Sequence, residues 1–354
     1  MSGANALRSS WPVLGEKLSL LPLADLPTPV RAANLEDRSG SQRVLIKEDN
    51  LSGRPYGGNK VRKLEYALAP ARARHCHAVA TFGTVGSHHA LATALYARQL
   101  GFDCICFLSH QARTGSVPMT LNMLLASGTE LVRFGGSYAQ RIATLRRHLH
   151  GRKVWVVPAG GSSWRGTVGF VNAGLELAAQ IGRQECPVPE RLYVAAGTMG
   201  TAAGLALGLA LAGVTAEVHA VRVSHTAIAN ERRLGQLCAR TAHMMRRLDP
   251  AIPADLAQRV RLRLRHEFFA GGYARSDRAT EQAIATARRQ LNLTLEPTYT
   301  GKAMAALLHD CRQQAGCRGK ALFWQSYHAA PLPVHAAGPL DAARLPAEFL
   351  RYFS

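Results

Sequence analysis

Lysine is scarce in this chain: of its 354 residues 43 are basic, and only seven of those are lysines. Acidic residues are few too, 23 in all, which leaves a formal net charge of +20. A basic excess of this size can mark a nucleic-acid binder. Here the arginines are spread over alanine- and leucine-rich stretches, with no basic tail and no aromatics interleaved among them. Solvated helix faces account for them, and no nucleic-acid partner is expected. No apolar run approaches the ~18 residues that a membrane-spanning helix requires. The amino-terminal stretch LSLLPLADLPTPV is broken by prolines and an aspartate, and no basic region, apolar run and cleavage site follow one another there. A cytoplasmic protein with no membrane partner is the expectation.

The seven cysteines (Cys76, Cys104, Cys106, Cys186, Cys238, Cys311, Cys317) are odd in number and show no CxxC spacing. That argues against a disulfide framework and against a thiolate metal site, so reduced thiols and no metal are expected. Cys104 and Cys106 lie two apart in FDCICFL, on one face of a strand, where buried packing explains them. Neither GxGxxG nor GxxxxGK[ST] occurs, which removes the usual dinucleotide and P-loop sites.

What is present is a core-forming composition, 47% hydrophobic, arranged as short apolar runs alternating with helical patterns. The runs RVLIKE (43–48), AVATF (78–82), FDCICFL (102–108), ELVRF (130–134), KVWVVP (153–158), RLYVAA (191–196), EVHAVRV (217–223) and ALFWQS (321–326) read as strands. The stretches VRKLEYALAPARAR, HALATALYARQLG, PMTLNMLLASG, GTVGFVNAGLELAAQI and TAAGLALGLALAG read as helices. This alternation predicts an α/β fold with mainly parallel sheets. Two doubly wound sheets are preferred to one barrel, with PAGGSSWRG (158–166) carrying the chain between them.

Four motifs bear chemistry. In GGNKVRKLE (57–65) glycines and an amide precede Lys60, a marked choice in an arginine-rich chain, because a desolvated lysine can lose its proton and attack a carbonyl whereas arginine cannot. GTMGTAAG (197–204) joins a strand to a helix, where free backbone N–H groups, Thr198 and Thr201 could hold an anion. In TFGTVGSHHALATA (81–94) Ser87 suits a helix N-cap, and His88 and His89 point about 100° apart, too far to share a metal. EPTYTGKAMAAL (296–307) sets Tyr299 at a helix mouth.

Taken in order with PAGGSSWRGTVGFVNAGLEL and GGYAR, these motifs resemble the D-cysteine desulfhydrase and 1-aminocyclopropane-1-carboxylate deaminase family over about residues 20–330. That family has the tryptophan-synthase-β fold, fold type II, and uses pyridoxal 5'-phosphate. The resemblance makes Lys60 the lysine of the internal aldimine, supported by Asn59. It assigns the cofactor phosphate to Gly197, Thr198, Met199, Gly200 and Thr201, and the substrate side to Ser87, Tyr273 and Tyr299. It implies a homodimer, a small amino-acid substrate and a cofactor cleft between two domains, one of residues 57–166 and one of residues 1–56 with 167–354. Thr300 stands where the deaminase branch has glutamate, and Ser326 matches the hydroxyl near the pyridine nitrogen in the desulfhydrase branch. Elimination from D-cysteine, giving a 2-oxo acid and ammonia, is therefore the leading reading. A 1-aminocyclopropane-1-carboxylate deaminase, a divergent enzyme with another substrate, and a silent cofactor binder are the alternatives. Three departures mark this chain. His88 replaces the asparagine that donates to the cofactor's phenolic oxygen. Met199 replaces a glycine of the phosphate loop, where restoring glycine is expected to tighten cofactor binding. Tyr327 and His328 replace two glycines and are expected to crowd the pyridine side.

Overall fold

Short runs rich in β-branched and aromatic residues, bounded by glycine, proline or charge, become strands. The computed structural model describes residues 5–37, 40–313, 320–328 and 342–353. In chain order its strands are β1 Val30–Asp37, β2 Gly40–Lys47, β3 Ala78–Thr84, β4 Asp103–Ser109, β5 Glu130–Arg133, β6 Val154–Val157, β7 Arg191–Ala196, β8 Glu217–Arg222, β9 Leu262–Arg265 and β10 Ala321–Trp324. They form two sheets, ordered β1-β2-β10-β7-β8-β9 and β5-β4-β3-β6. Every neighbouring pair is parallel except β1 with β2.

All eight expected strands are found. β1 and β9 were not expected, and both are edge strands. An edge strand needs only one paired side and can carry charge, so VRAANLED and LRLR lack the apolar run of a central strand. The stretch VRKLEYALAPARAR forms two helices, Asn59–Ala67 and Ala69–Ala73. Pro70 has no N–H to continue the first and sits in the opening turn of the second.

Side chains alternate across the larger sheet. Leu322 and Trp324 join the cluster under helices Trp164–Gly182 and Gly200–Leu211, while Ala321 and Phe323 join the one under helices Arg278–Leu291 and Thr300–Gln313. The first two helices touch closely: a Cβ on Gly208 would lie 2.3 Å from the Val171 carbonyl oxygen. On the smaller sheet Cys104 and Cys106 face helix His88–Gln99 within one apolar cluster, their sulfurs 3.9 Å apart. The six described cysteines are free thiols, and Cys317 lies outside the described residues. Residues 158–163 carry the chain from β6 to helix Trp164–Gly182, as expected for PAGGSSWRG. Leu345, Phe349 and Tyr352, from the carboxy-terminal segment that was grouped with the larger domain, pack into the smaller sheet's apolar cluster.

A buried knot of charge anchors the helix that bears Lys60. Arg62 donates to Asp49 at 2.7 Å and to Glu176 at 2.9 Å, and Lys47 pairs with Glu176 at 2.5 Å. Trp324 Nε1 donates to Asp49 at 2.7 Å. Four elements, β2, β10 and helices Asn59–Ala67 and Trp164–Gly182, therefore meet through groups that each satisfy the others.

Candidate active site

Lys60 is the second residue of helix Asn59–Ala67. The turn before it requires glycine: Gly58 has φ +83°, and a Cβ there would lie 2.5 Å from the Ser326 carbonyl oxygen. That same oxygen accepts the Asn59 N–H at 3.0 Å, tying the helix start to the end of β10. The Lys60 amine opens on a cavity of about 680 Å³. Its nitrogen lies 5.7 Å from the centre of the Tyr299 ring. Burial lowers its pKa to about 8, against the opposing pull of Glu296.

The turn after β7 brings a set of hydrogen-bond donors to the same cavity. Met199 takes φ +65° at the N-cap of helix Gly200–Leu211, and its side chain is buried in the core beneath. The position where the family has glycine is thus a left-handed methionine whose side chain joins the core cluster. The Gly200 N–H donates to Ser162 Oγ at 3.2 Å, which in turn bonds Thr198 Oγ1 at 2.7 Å. Lys63, buried, donates to the Gly160 carbonyl at 3.0 Å and to Ser162 Oγ at 3.3 Å. Asn59 Nδ2 donates to Thr201 Oγ1 at 2.9 Å. Burial, then the charge of Lys60, pushes the Lys63 pKa well down, which an anion beside it would reverse. Lys63 and Ser162 were not anticipated. The i,i+3 spacing of Lys60 and Lys63, one face of a helix, was the available signal.

The substrate side gathers the remaining residues. Ser87 caps helix His88–Gln99, its Oγ accepting the Ala90 N–H at 3.2 Å. Tyr273 and Tyr299 hydrogen-bond hydroxyl to hydroxyl, and Thr84 Oγ1 lies 3.4 Å from Tyr273. His88 Nδ1 is 2.7 Å from the Tyr56 hydroxyl, whereas His89 turns away to Thr81 Oγ1 at 3.0 Å. Glu296, also unanticipated, accepts the N–H groups of Thr298, Tyr299 and Thr300, each at 2.8 Å, and burial raises its pKa. Its carboxyl is the group that opposes the lowering of the Lys60 pKa. Thr300 spends its hydroxyl on Glu296, at 3.3 Å. Every anticipated site residue except Gly200 lines this cavity, Ser326 among them, together with Tyr327 and His328.

The sequence pattern described as "Pyridoxal-phosphate dependent enzyme" matches residues 21–323. The chain belongs to this family. As a member it is a pyridoxal-phosphate-dependent enzyme of fold type II. D-cysteine desulfhydrase of Yersinia pestis (strain Pestoides F) is 32% identical over 323 residues, covering 88% of this chain and 94% of that protein. The protein of the same name from Serratia proteamaculans (strain 568) is 31% identical, covering 85% and 92%. Among solved structures, an ACC deaminase homologue superposes with a TM-score of 0.73 at 29% identity, covering 92% and 95%. A fungal L-serine ammonia-lyase from Rhizomucor miehei, at 18% identity and a TM-score of 0.57 over 86% and 94%, shares the fold. The residues present fit the family's cofactor. Ser162, Thr198, Lys63 and the Gly200 N–H form a donor set with no carboxylate among them, and a Cβ on Gly200 would intrude to 2.6 Å from Ser162 Oγ and 3.1 Å from Lys63 Nζ.

Proposed function

We propose that this family member eliminates a β-leaving group from a small amino acid, with D-cysteine as substrate and pyruvate, sulfide and ammonia as products. The observation that carries the reading is the single cavity shared by the Lys60 amine, the anion site at helix Gly200–Leu211 and the Tyr273–Tyr299 hydroxyl pair. The names of the bacterial relatives support it. When bound, pyridoxal phosphate supplies the electron sink for charge at the substrate's α carbon. Lys60 would hold the cofactor, and its free amine is the base placed to take the substrate's α proton; a pKa near 8 leaves usable free amine at neutral pH. Lys63, Ser162, Thr198, Thr201 and the N–H groups of 197–201 would hold the phosphate. Asn59, His88 and Ser326, which line the same cavity, would hold the rest of the cofactor. Ser87 and the helix start behind it receive the substrate carboxylate. The Tyr273–Tyr299 pair passes a proton to the departing thiolate, and water completes hydrolysis to pyruvate and ammonia.

We assign residues 57–166 to a smaller unit and 1–56 with 167–354 to a larger one, with the last described segment seated on the smaller. A homodimer and a cytoplasmic location complete the proposal, the first resting on the resemblance and the second on the free thiols. Product analysis tests the activity. Pyruvate and sulfide from D-cysteine, without 2-oxobutyrate from 1-aminocyclopropane-1-carboxylate, are expected. The reverse preference would make the chain a deaminase, and neither product from the loaded protein would refute both.

A further inference from the structure

Tyr327 and His328 were expected to crowd the pyridine side of the pocket, yet the structure joins them, with His88, to Tyr56 in one cluster. The Tyr56 hydroxyl lies 2.7 Å from His88 Nδ1. The Tyr56 ring stacks on His328 at 4.3 Å between centres, and His328 Nδ1 accepts the Gly57 N–H at 2.8 Å. His88 meets Tyr299 and Tyr327 edge-on, at 5.9 and 5.2 Å. The rest of its ring faces the cavity that Lys60 also lines.

We propose that Tyr56 is a positioning residue whose hydroxyl donates to His88 Nδ1, locking the imidazole in its Nε2–H tautomer, so that His88 offers one donor and no acceptor to a cofactor oxygen in the cavity. The inference rests on the cofactor site described above and extends it to residues in which this chain departs from its family's pattern.

The direction of the bond follows from what each partner can do. Tyr56 is 2% exposed, and among the described residues its hydroxyl has no other polar partner. A buried hydroxyl without an acceptor is costly, so its proton goes to the one acceptor present. Burial holds the phenol well above its ordinary pKa, so that proton stays in place. The groups that face His88 are Lys60 from its helix, Tyr56 and His328 from the two loops beside it, and Tyr299 and Tyr327 along its edges. Burial first, then Lys60 and His328, hold His88 near pKa 3, so the ring is neutral. A neutral imidazole that accepts at Nδ1 carries its proton at Nε2. His328 positions Tyr56 in turn: the Gly57 amide can only donate, which fixes the ring on which Tyr56 stacks.

The test is nitrogen-15 NMR of the histidines, assigned by His88→Asn, in cofactor-free and loaded protein, with Tyr56→Phe as the variant that keeps the stacked ring. The expected result is an Nε2–H pattern for His88 in both states, replaced by a tautomer mixture in Tyr56→Phe. An Nδ1–H or charged ring would overturn the inference whether or not cofactor binds, while loss of cofactor binding with the tautomer intact would instead strike at the cofactor site. A double-mutant cycle on the pyridoxal phosphate dissociation constant separates positioning from packing. Tyr56→Phe is expected to weaken binding roughly 10-fold with His88 present and to change nothing in the His88→Asn background. Equal losses in both backgrounds would show that Tyr56 acts only by packing.

Discussion

At the scale of single residues, two lysines three apart are suited to different tasks by their surroundings. Lys60 faces a carboxylate and open cavity, whereas Lys63 is roofed by a carbonyl and a hydroxyl at a helix start. The amine that attacks must be unprotonated, and the lowered pKa of Lys60 sets when it is. Below about pH 8 the free fraction grows tenfold per unit, and above it the fraction saturates. Covalent capture of pyridoxal phosphate by the cofactor-free protein is therefore expected to accelerate from pH 6 to 8 and then level off, as stopped-flow absorbance would show; a rise continuing to pH 10 would mean an ordinary surface lysine. Lys60 was legible because glycines and an asparagine precede it in a lysine-poor chain. Glu296 was not, since a glutamate ahead of a proline looks like any turn residue until its three backbone donors are seen.

At the scale of elements, the turn after β7 shows how sequence and structure part. Glycine at position 199 was expected to help the phosphate loop, and the left-handed φ agrees that glycine would sit there without strain. The methionine side chain, however, is 4% exposed and packed into the core. Relief of strain is worth about 1–2 kcal/mol, while removing a buried methionine costs roughly 2–5 kcal/mol. Met199→Gly is expected to lower stability by about 1–3 kcal/mol in urea unfolding and to leave the cofactor dissociation constant within twofold. Tighter binding with unchanged stability would restore the first expectation. The central strands were legible as unbroken apolar runs; β1 and β9 were not, because an edge strand's charges hide its period. Ser162 was read only as part of a connection, since nothing local tells that a crossover passes over a helix start 38 residues later.

At the scale of the whole molecule, the buried knot of Lys47, Asp49, Arg62 and Glu176 locks the larger sheet to the helix of Lys60. None of it was legible, because its members lie up to 129 positions apart and become partners only through the fold. Burial alone would raise the Glu176 carboxyl, yet Arg62 and Lys47 hold it down at about 2. A depressed carboxyl stabilises the fold fully above its unfolded pKa near 4.5 and loses that contribution as pH falls towards 2. The difference corresponds to roughly 3 kcal/mol. Glu176→Gln is expected to be less stable at pH 7 and to show a shallower decline between pH 4.5 and 2 in chemical unfolding. An unchanged acid slope would place the sensitivity elsewhere.

The central claim is that Lys60, and not its buried neighbours Lys63 or Lys47, carries the cofactor. Borohydride reduction of the loaded protein, followed by peptide mass mapping, tests it directly. A phosphopyridoxyl group on the peptide at Lys60 is the expected result, and a label on Lys63, on Lys47 or on no lysine would contradict the account.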